Sequence, residues 1–228
     1  GRLSRFDCSS FPASQFVIPG YGTPYRLDRT NKGGGLLLYV REDIPSKMLD
    51  FKSDIEAFFI EINLRKVKWL LSCSYNPSKS TITNHLDKLG YFLATASISY
   101  DKIILIGDLN LEANENPMIE FCHINSFKHL VKSPTCFKNP NNPSCIDVIL
   151  TNSPKSFQNT STLDTGLSDF HHMTLTVLKT QFPKLKPKVV EYRSYKNFSN
   201  DTFRNELLNN FRGVTLDIYH LVGSRGQI

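Results

Sequence analysis

The chain alternates short apolar runs with polar loops, and one run stands apart. Lys102-Ile103-Ile104-Leu105-Ile106 is unbroken apolar sequence after its lysine, and it stops at Gly107-Asp108-Leu109-Asn110. Four consecutive residues of that kind predict a strand buried on both faces, at the centre of a layered sheet. The bland reading of its end is an Asp-bearing turn. The functional one is a strand that delivers an Asp and an Asn to a site. Similar runs predict strands over residues 36–40, 55–63, 69–75, 127–131, 144–150 and 173–178. Within the second of these, Glu56 and Glu61 sit at positions that can face out. Ile82, His85, Leu86, Leu89, Phe92 and Leu93 recur at helical spacing, which predicts a helix over 81–99 with His85 as a structural residue of its apolar face. Asn116-Pro117 starts a short helix, and residues 203–211 form another. Strand–helix–strand order implies an α/β layered fold. Residues 1–32, broken by Pro12, Pro19, Gly20, Gly22 and Pro24, read as irregular.

Composition narrows the class. The 228 residues carry a formal charge of +6, which favours a polyanionic partner. No apolar run is long enough for a membrane span, and the first residues lack the apolar stretch of a signal peptide. Gly1 stands where a Met would begin a reading frame, which is the expectation for a piece of a longer product. The five cysteines are scattered, with no CxxC pair, so neither a disulfide framework nor a zinc site is expected. Lysines and prolines after Lys179 divide the chain into a domain over residues 1–179 and a basic linker with a short helix and tail over 180–228.

Polar groups gather at strand ends or just beyond: Tyr75, Asp108 with Asn110, Asp147, and Asp169 with His171. Asp147 shares a face opposite to Ile146 and Val148, and burial there demands a His or a cation as partner. Tyr75 alone is more simply a rim aromatic. Gly33-Gly34-Gly35 lets the backbone turn or approach a neighbour before the next strand; no helix and no GK[ST] follow, so it is not a phosphate loop. Together the set fits phosphodiester hydrolysis. One carboxylate aims a water, a donor holds the phosphoryl oxygens, and hard oxygens bind a divalent cation.

The order Gly33-Gly34-Gly35, Ser74-Tyr75-Asn76-Pro77, Gly107-Asp108-Leu109-Asn110, Pro134-Thr135, Ser144-Cys145-Ile146-Asp147 and Ser168-Asp169-Phe170-His171 resembles the endonuclease/exonuclease/phosphatase family. Within it, the likeness is nearest to the endonuclease domains of non-LTR (LINE-like) retrotransposons. The resemblance implies a four-layer α/β sandwich of two facing mixed sheets flanked by helices. It implies Mg²⁺-dependent nicking of DNA, with Mn²⁺ as a substitute cation. Asp108 would orient or deprotonate the attacking water, Asn110 would hold a phosphate oxygen, and His171 would contact the phosphate with Asp147 orienting its ring. Tyr75, Thr135 and Ser144 would touch the phosphate or its neighbours, and Asp169 would lie on the metal side. DNA is then the partner, beside an adjoining reverse transcriptase domain. The implied protein is an intracellular monomer, nuclear when it acts on DNA, with no membrane role.

Two departures shape the expectation. Phe170 separates Asp169 from His171, and His172 follows, so two histidines compete for the working place. The family's N-terminal strand, with its Asn and its metal-binding Glu, has no counterpart in residues 1–10. Glu42, Glu56 and Glu61 are poor substitutes. An unfilled layer leaves unpaired backbone or an exposed apolar face, and implies marginal stability and lost activity. The alternatives are a DNA-binding remnant without catalysis, or a phosphatase of the same fold acting on phosphoinositides.

Overall fold

A computed structural model describes residues 12–29, 35–180 and 198–210. The chain divides into two units, Gly1–Gln181 and Phe182–Ile228. In the second, the described part is helix α3 (Asn200–Asn210), preceded by Phe198, whose ring lies 5.5 Å from that of Phe203.

The first unit is built on one mixed sheet. Its six strands are β3 (Ser46–Met48), β4 (Glu56–Leu64), β5 (Val67–Tyr75), β6 (Lys102–Asp108), β8 (Asp147–Thr151) and β7 (Lys128–His129), in that spatial order. Only β5 and β6 run parallel. Their connection carries α1 (Ile82–Ala96), as a parallel pair requires. The run at 102–106 is central, with Ile103, Ile104 and Leu105 all buried. Leu105 and Ile103 turn toward α1 and α2 (Asn116–Ile124), where Leu86, Leu89, Leu93, Met118 and Phe121 complete the core. His85 is buried in the same helix, and its Nε2 lies 2.6 Å from the Ser74 hydroxyl. Burial drives its pKa down to about 4, so it is a neutral structural histidine.

The other face of the sheet meets two hairpins. One pairs β1 (Tyr25–Asp28) with β2 (Gly35–Leu38), and the other pairs β9 (Phe157–Leu163) with β10 (Met173–Leu178). Arg29, just past β1, lies over the Tyr75 ring, and Phe157 of β9 packs edge-on against Trp69. The close approach expected of the triple glycine occurs at Gly35, where a Cβ would sit 2.4 Å from the Leu27 carbonyl oxygen. The two hairpins do not pair with each other among the described residues, and Met173, Leu175 and Val177 of β10 stay exposed. The chain start, on which the expectation of an absent strand falls, lies outside the described residues.

Sequence reading missed β1, β3 and β9. The first two are only 4 and 3 residues long. The third, Phe-Gln-Asn-Thr-Ser-Thr-Leu, is polar, and its pairing with β10 makes it a strand. Glu56 and Glu61 are less exposed than alternation implied: Glu56 pairs with Arg29, and Glu61 accepts from the Tyr100 hydroxyl at 2.7 Å. Among the described residues, Cys73, Cys122, Cys136 and Cys145 are free. No helix among the described residues is long and apolar enough to cross a membrane.

Candidate active site

Strand register builds the site. Glu56 on β4 is level with Tyr75 on β5, Tyr75 with Asp108 on β6, and Asp108 with Asp147 on β8. Residues level across neighbouring strands share a face, so one transverse row carries all four side chains. Gly107 makes room for this. Its φ is +148°, and a Cβ there would lie 1.7 Å from the Ser74 carbonyl oxygen.

His171 enters from the loop before β10. A backbone bridge to Cys136 holds it, and its N–H donates to the Ser168 hydroxyl at 3.2 Å. Its Nδ1 lies 4.0 Å from Asp147 Oδ2, and its Nε2 lies 3.7 Å from Cys136 Sγ. His172 points elsewhere and stacks on Phe137 at 4.1 Å, so His171 is the histidine at the site. The inserted Phe170 is accommodated because 170–172 run as a strip beside 135–137. Phe137 donates to the Phe170 carbonyl and His172 to the Thr135 carbonyl, which sets alternate side chains on opposite sides.

Asp108, Asp147 and His171 each offer a ligand atom within 4.8 Å of the others. Burial raises the Asp108 carboxyl to about 6; the Asn110 N–H bond at 2.9 Å opposes this, and the Asp147 charge adds to it. Burial also raises Asp147, against the opposing pull of Thr135 and His171. Burial lowers His171, while Asp147 raises it. Asp147 Oδ2 is buried with no hydrogen-bond partner among the described residues. A buried carboxylate oxygen in that state calls for a proton or a cation.

Other expected site residues divide. Asn110 adopts a left-handed backbone, φ 48°, and its amide donates to the Asn76 carbonyl at 2.7 Å. With Ser144, Cys136 and Lys138 it lines an open cleft of about 350 Å³. Thr135 has a different task from phosphate contact. It is fully buried, and its hydroxyl accepts from the N–H groups of Ile146 and Asp147 at 3.2 and 3.1 Å. It therefore acts through Asp147. Asp169, expected on the metal side, is exposed and is not brought into the acid–histidine group. The sequence also hid contributors. Asn76 is fully buried and ties the loop after β5 to Leu109 and Thr81. Cys136 touches His171, and Arg29 with Glu56 flanks Tyr75. Asn76 belongs to the Ser74–Pro77 motif; nothing in local sequence marks the others, because each is placed by pairing with a distant segment.

Thr135→Val tests the positioning role. It keeps the shape and strands two buried N–H donors, at a cost of roughly 2–4 kcal/mol. Chemical denaturation is expected to report that loss, with Thr135→Ser recovering most of it. Unchanged stability in the valine variant would show that the hydroxyl is not the acceptor.

No protein-family model matches the sequence, and no curated protein is significantly similar to it. Solved structures are similar in fold. The endonuclease domain of TRAS1, a telomere-specific non-LTR retrotransposon, superposes with a TM-score of 0.58 at 13% identity, over 73% of this chain and 84% of that one. The human Nocturnin catalytic domain with bound sulfate anion gives 0.55 at 14% identity, over 76% and 77% of the two chains. The mixed sheet, its helical cover and its paired hairpins are the α/β sandwich fold of the endonuclease/exonuclease/phosphatase proteins.

Proposed function

We propose that this chain is a divalent-cation-dependent phosphodiester hydrolase that nicks DNA. The observation that carries the reading is the convergence of Asp108, Asp147 and His171, from two strands and a distant loop, on one half-buried point. The formal charge of +6 supports a polyanionic substrate. The fold shared with the TRAS1 endonuclease domain supports DNA as that polyanion, and a role beside a reverse transcriptase in a retrotransposon product.

The residues fit a cation. Two carboxylates and one imidazole are within reach of one another, and Asp147 offers a buried oxygen with nothing bound to it. The paired carboxylates suit Mg²⁺ or Mn²⁺. A cation held there supplies charge to a phosphoryl oxygen and acidifies a bound water. The chain's own groups do the rest. Asp108, with a pKa near neutrality, accepts a proton from the attacking water. The Asp147 charge, its Oδ2 4.0 Å from Nδ1, favours the protonated His171 ring, which leaves Nε2 for a phosphoryl oxygen, since a thiol contact is weak and easily displaced. Asn110 and Ser144, on the cleft wall, face the phosphate.

Two measurements test this together. Purified chain with Mg²⁺ or Mn²⁺ is expected to convert supercoiled plasmid to open circle, and EDTA to stop it. The same cations are expected to raise the unfolding temperature of the natural chain and not of Asp147→Asn. No nicking with either cation overturns the reading. Release of inorganic phosphate from a phosphoinositide headgroup, without nicking, moves it to a phosphatase.

A further inference from the structure

Two backbone bridges join the open cleft to the site histidine. Cys136 pairs with Ser144 on one side and with His171 on the other. Residues level across neighbouring strands share a face, so Ser144, Cys136 and His171 stand in a second row. Lys138, two residues beyond Cys136, lines the cleft with Cys136 and Ser144. A turn closed by the Asn142 N–H on the Asn139 carbonyl, at 3.0 Å, carries the chain from Lys138 back to Ser144.

The charges around the cleft are unequal. Lys79, on the loop after β5, also lines it, but its ammonium is taken up by Glu115 at 2.6 Å, and Glu112 lies within reach of the same charge. That side carries two carboxylates for one ammonium. Lys138 is exposed and has no carboxylate within ion-pair distance among the described residues. Its charge is nonetheless felt at the site. Behind burial and the closer partners, it pulls both Asp108 and His171 toward their deprotonated forms. An uncompensated ammonium beside an acid–histidine group attracts the anion that the site takes, and the carboxylates of the Lys79 side repel it. Lysine suits that place as a mobile point charge on a phosphate.

We propose that Lys138 is a substrate-binding residue whose ammonium meets a DNA phosphate at the mouth of the cleft, so that the DNA backbone crosses the loop over 138–144 and not the loop after β5. The inference rests on DNA being the substrate.

The test follows a fluorescein-labelled DNA duplex by anisotropy across a range of salt, with the full chain in EDTA so that nothing is cut. Lys138→Gln is compared with Lys138→Arg, with Lys155→Gln and with Lys79→Gln/Glu115→Gln. Lys155 is an exposed lysine beyond the end of β8 opposite to Asp147, so its variant loses the same charge away from the site. The double variant removes an ion pair and keeps the net charge. Lys138→Gln is expected to bind roughly fivefold more weakly, with a log–log salt slope smaller by about one. Lys138→Arg is expected to keep the slope, and the other two variants to keep both slope and affinity. A Lys138→Gln slope equal to that of the natural chain, or a loss matched by either control, overturns the inference while DNA stands as the substrate. If the natural chain neither binds the duplex nor nicks plasmid, the substrate reading fails and this inference fails with it.

Discussion

Asp108→Asn is expected to abolish cleavage and, in EDTA at neutral pH, to make the fold more stable. The loss of rate follows from removing a general base, worth about 10²–10⁴-fold. The gain in stability follows from its surroundings. Asp108 sits level with Asp147 in a row buried enough to raise its pKa from 3.8 to about 6. A carboxyl raised in this way favours the folded state fully below its unfolded value, and that advantage is lost as pH rises through about 6. At pH values above that, the natural chain carries an ionised group that burial disfavours, and asparagine removes it. The Asn110 N–H keeps an acceptor in the amide oxygen. The difference is expected to be about 1–3 kcal/mol after allowance for solvent screening. It should be absent near pH 4 and level off above about 6. Adding Mg²⁺ or Mn²⁺ should reverse the order, because a cation stabilises only the chain that can hold it. Equal denaturation midpoints for the two proteins in EDTA at neutral pH would show that Asp108 is freely solvated and is not the tuned base.

The experiment bears on how the site was legible at all. The run at 102–106 and its Asp-Asn ending announced both the central strand and Asp108, because a buried strand has a one-dimensional signature. Asp147 was legible for the same reason, as a lone carboxylate within an apolar strand. His171 was legible as a polar group just before a strand, and the choice against His172 needed the Phe137 stack, which joins segments 35 residues apart. Thr135 shows the opposite case. Its sequence position fits a phosphate contact, yet burial turns its hydroxyl to the backbone of Asp147. Glu56 was misjudged because alternation within β4 cannot reveal that an arginine from another hairpin meets it.

Gly107→Ala is expected to cause the largest loss of stability of any glycine-to-alanine change among the described residues. The φ of +148° is one that alanine rarely adopts. The added Cβ would also meet Ser74 backbone on every side, with its oxygen at 1.7 Å, its carbon at 2.8 Å and its nitrogen at 3.1 Å. None of these is a side chain that can swing aside. Relief therefore requires β5 and β6 to separate at the point where Ser74 pairs with Gly107. That separation breaks the parallel ladder at the sheet centre and moves Tyr75 and Asp108 out of level. The cost is on the order of 4 kcal/mol or more, which is much of a domain's total stability of about 5–15 kcal/mol. Gly90→Ala is the matched control. It lies in α1, with a side-chain carbon of Phe121 at 3.8 Å, an ordinary contact. Alanine there should stabilise by about 0.5–1 kcal/mol through helix propensity alone. Urea titration of both variants reads the opposite signs directly. A Gly107→Ala protein that unfolds at the natural midpoint would mean that the strands can part there without loss, and that the row holding the site is not set by their pairing.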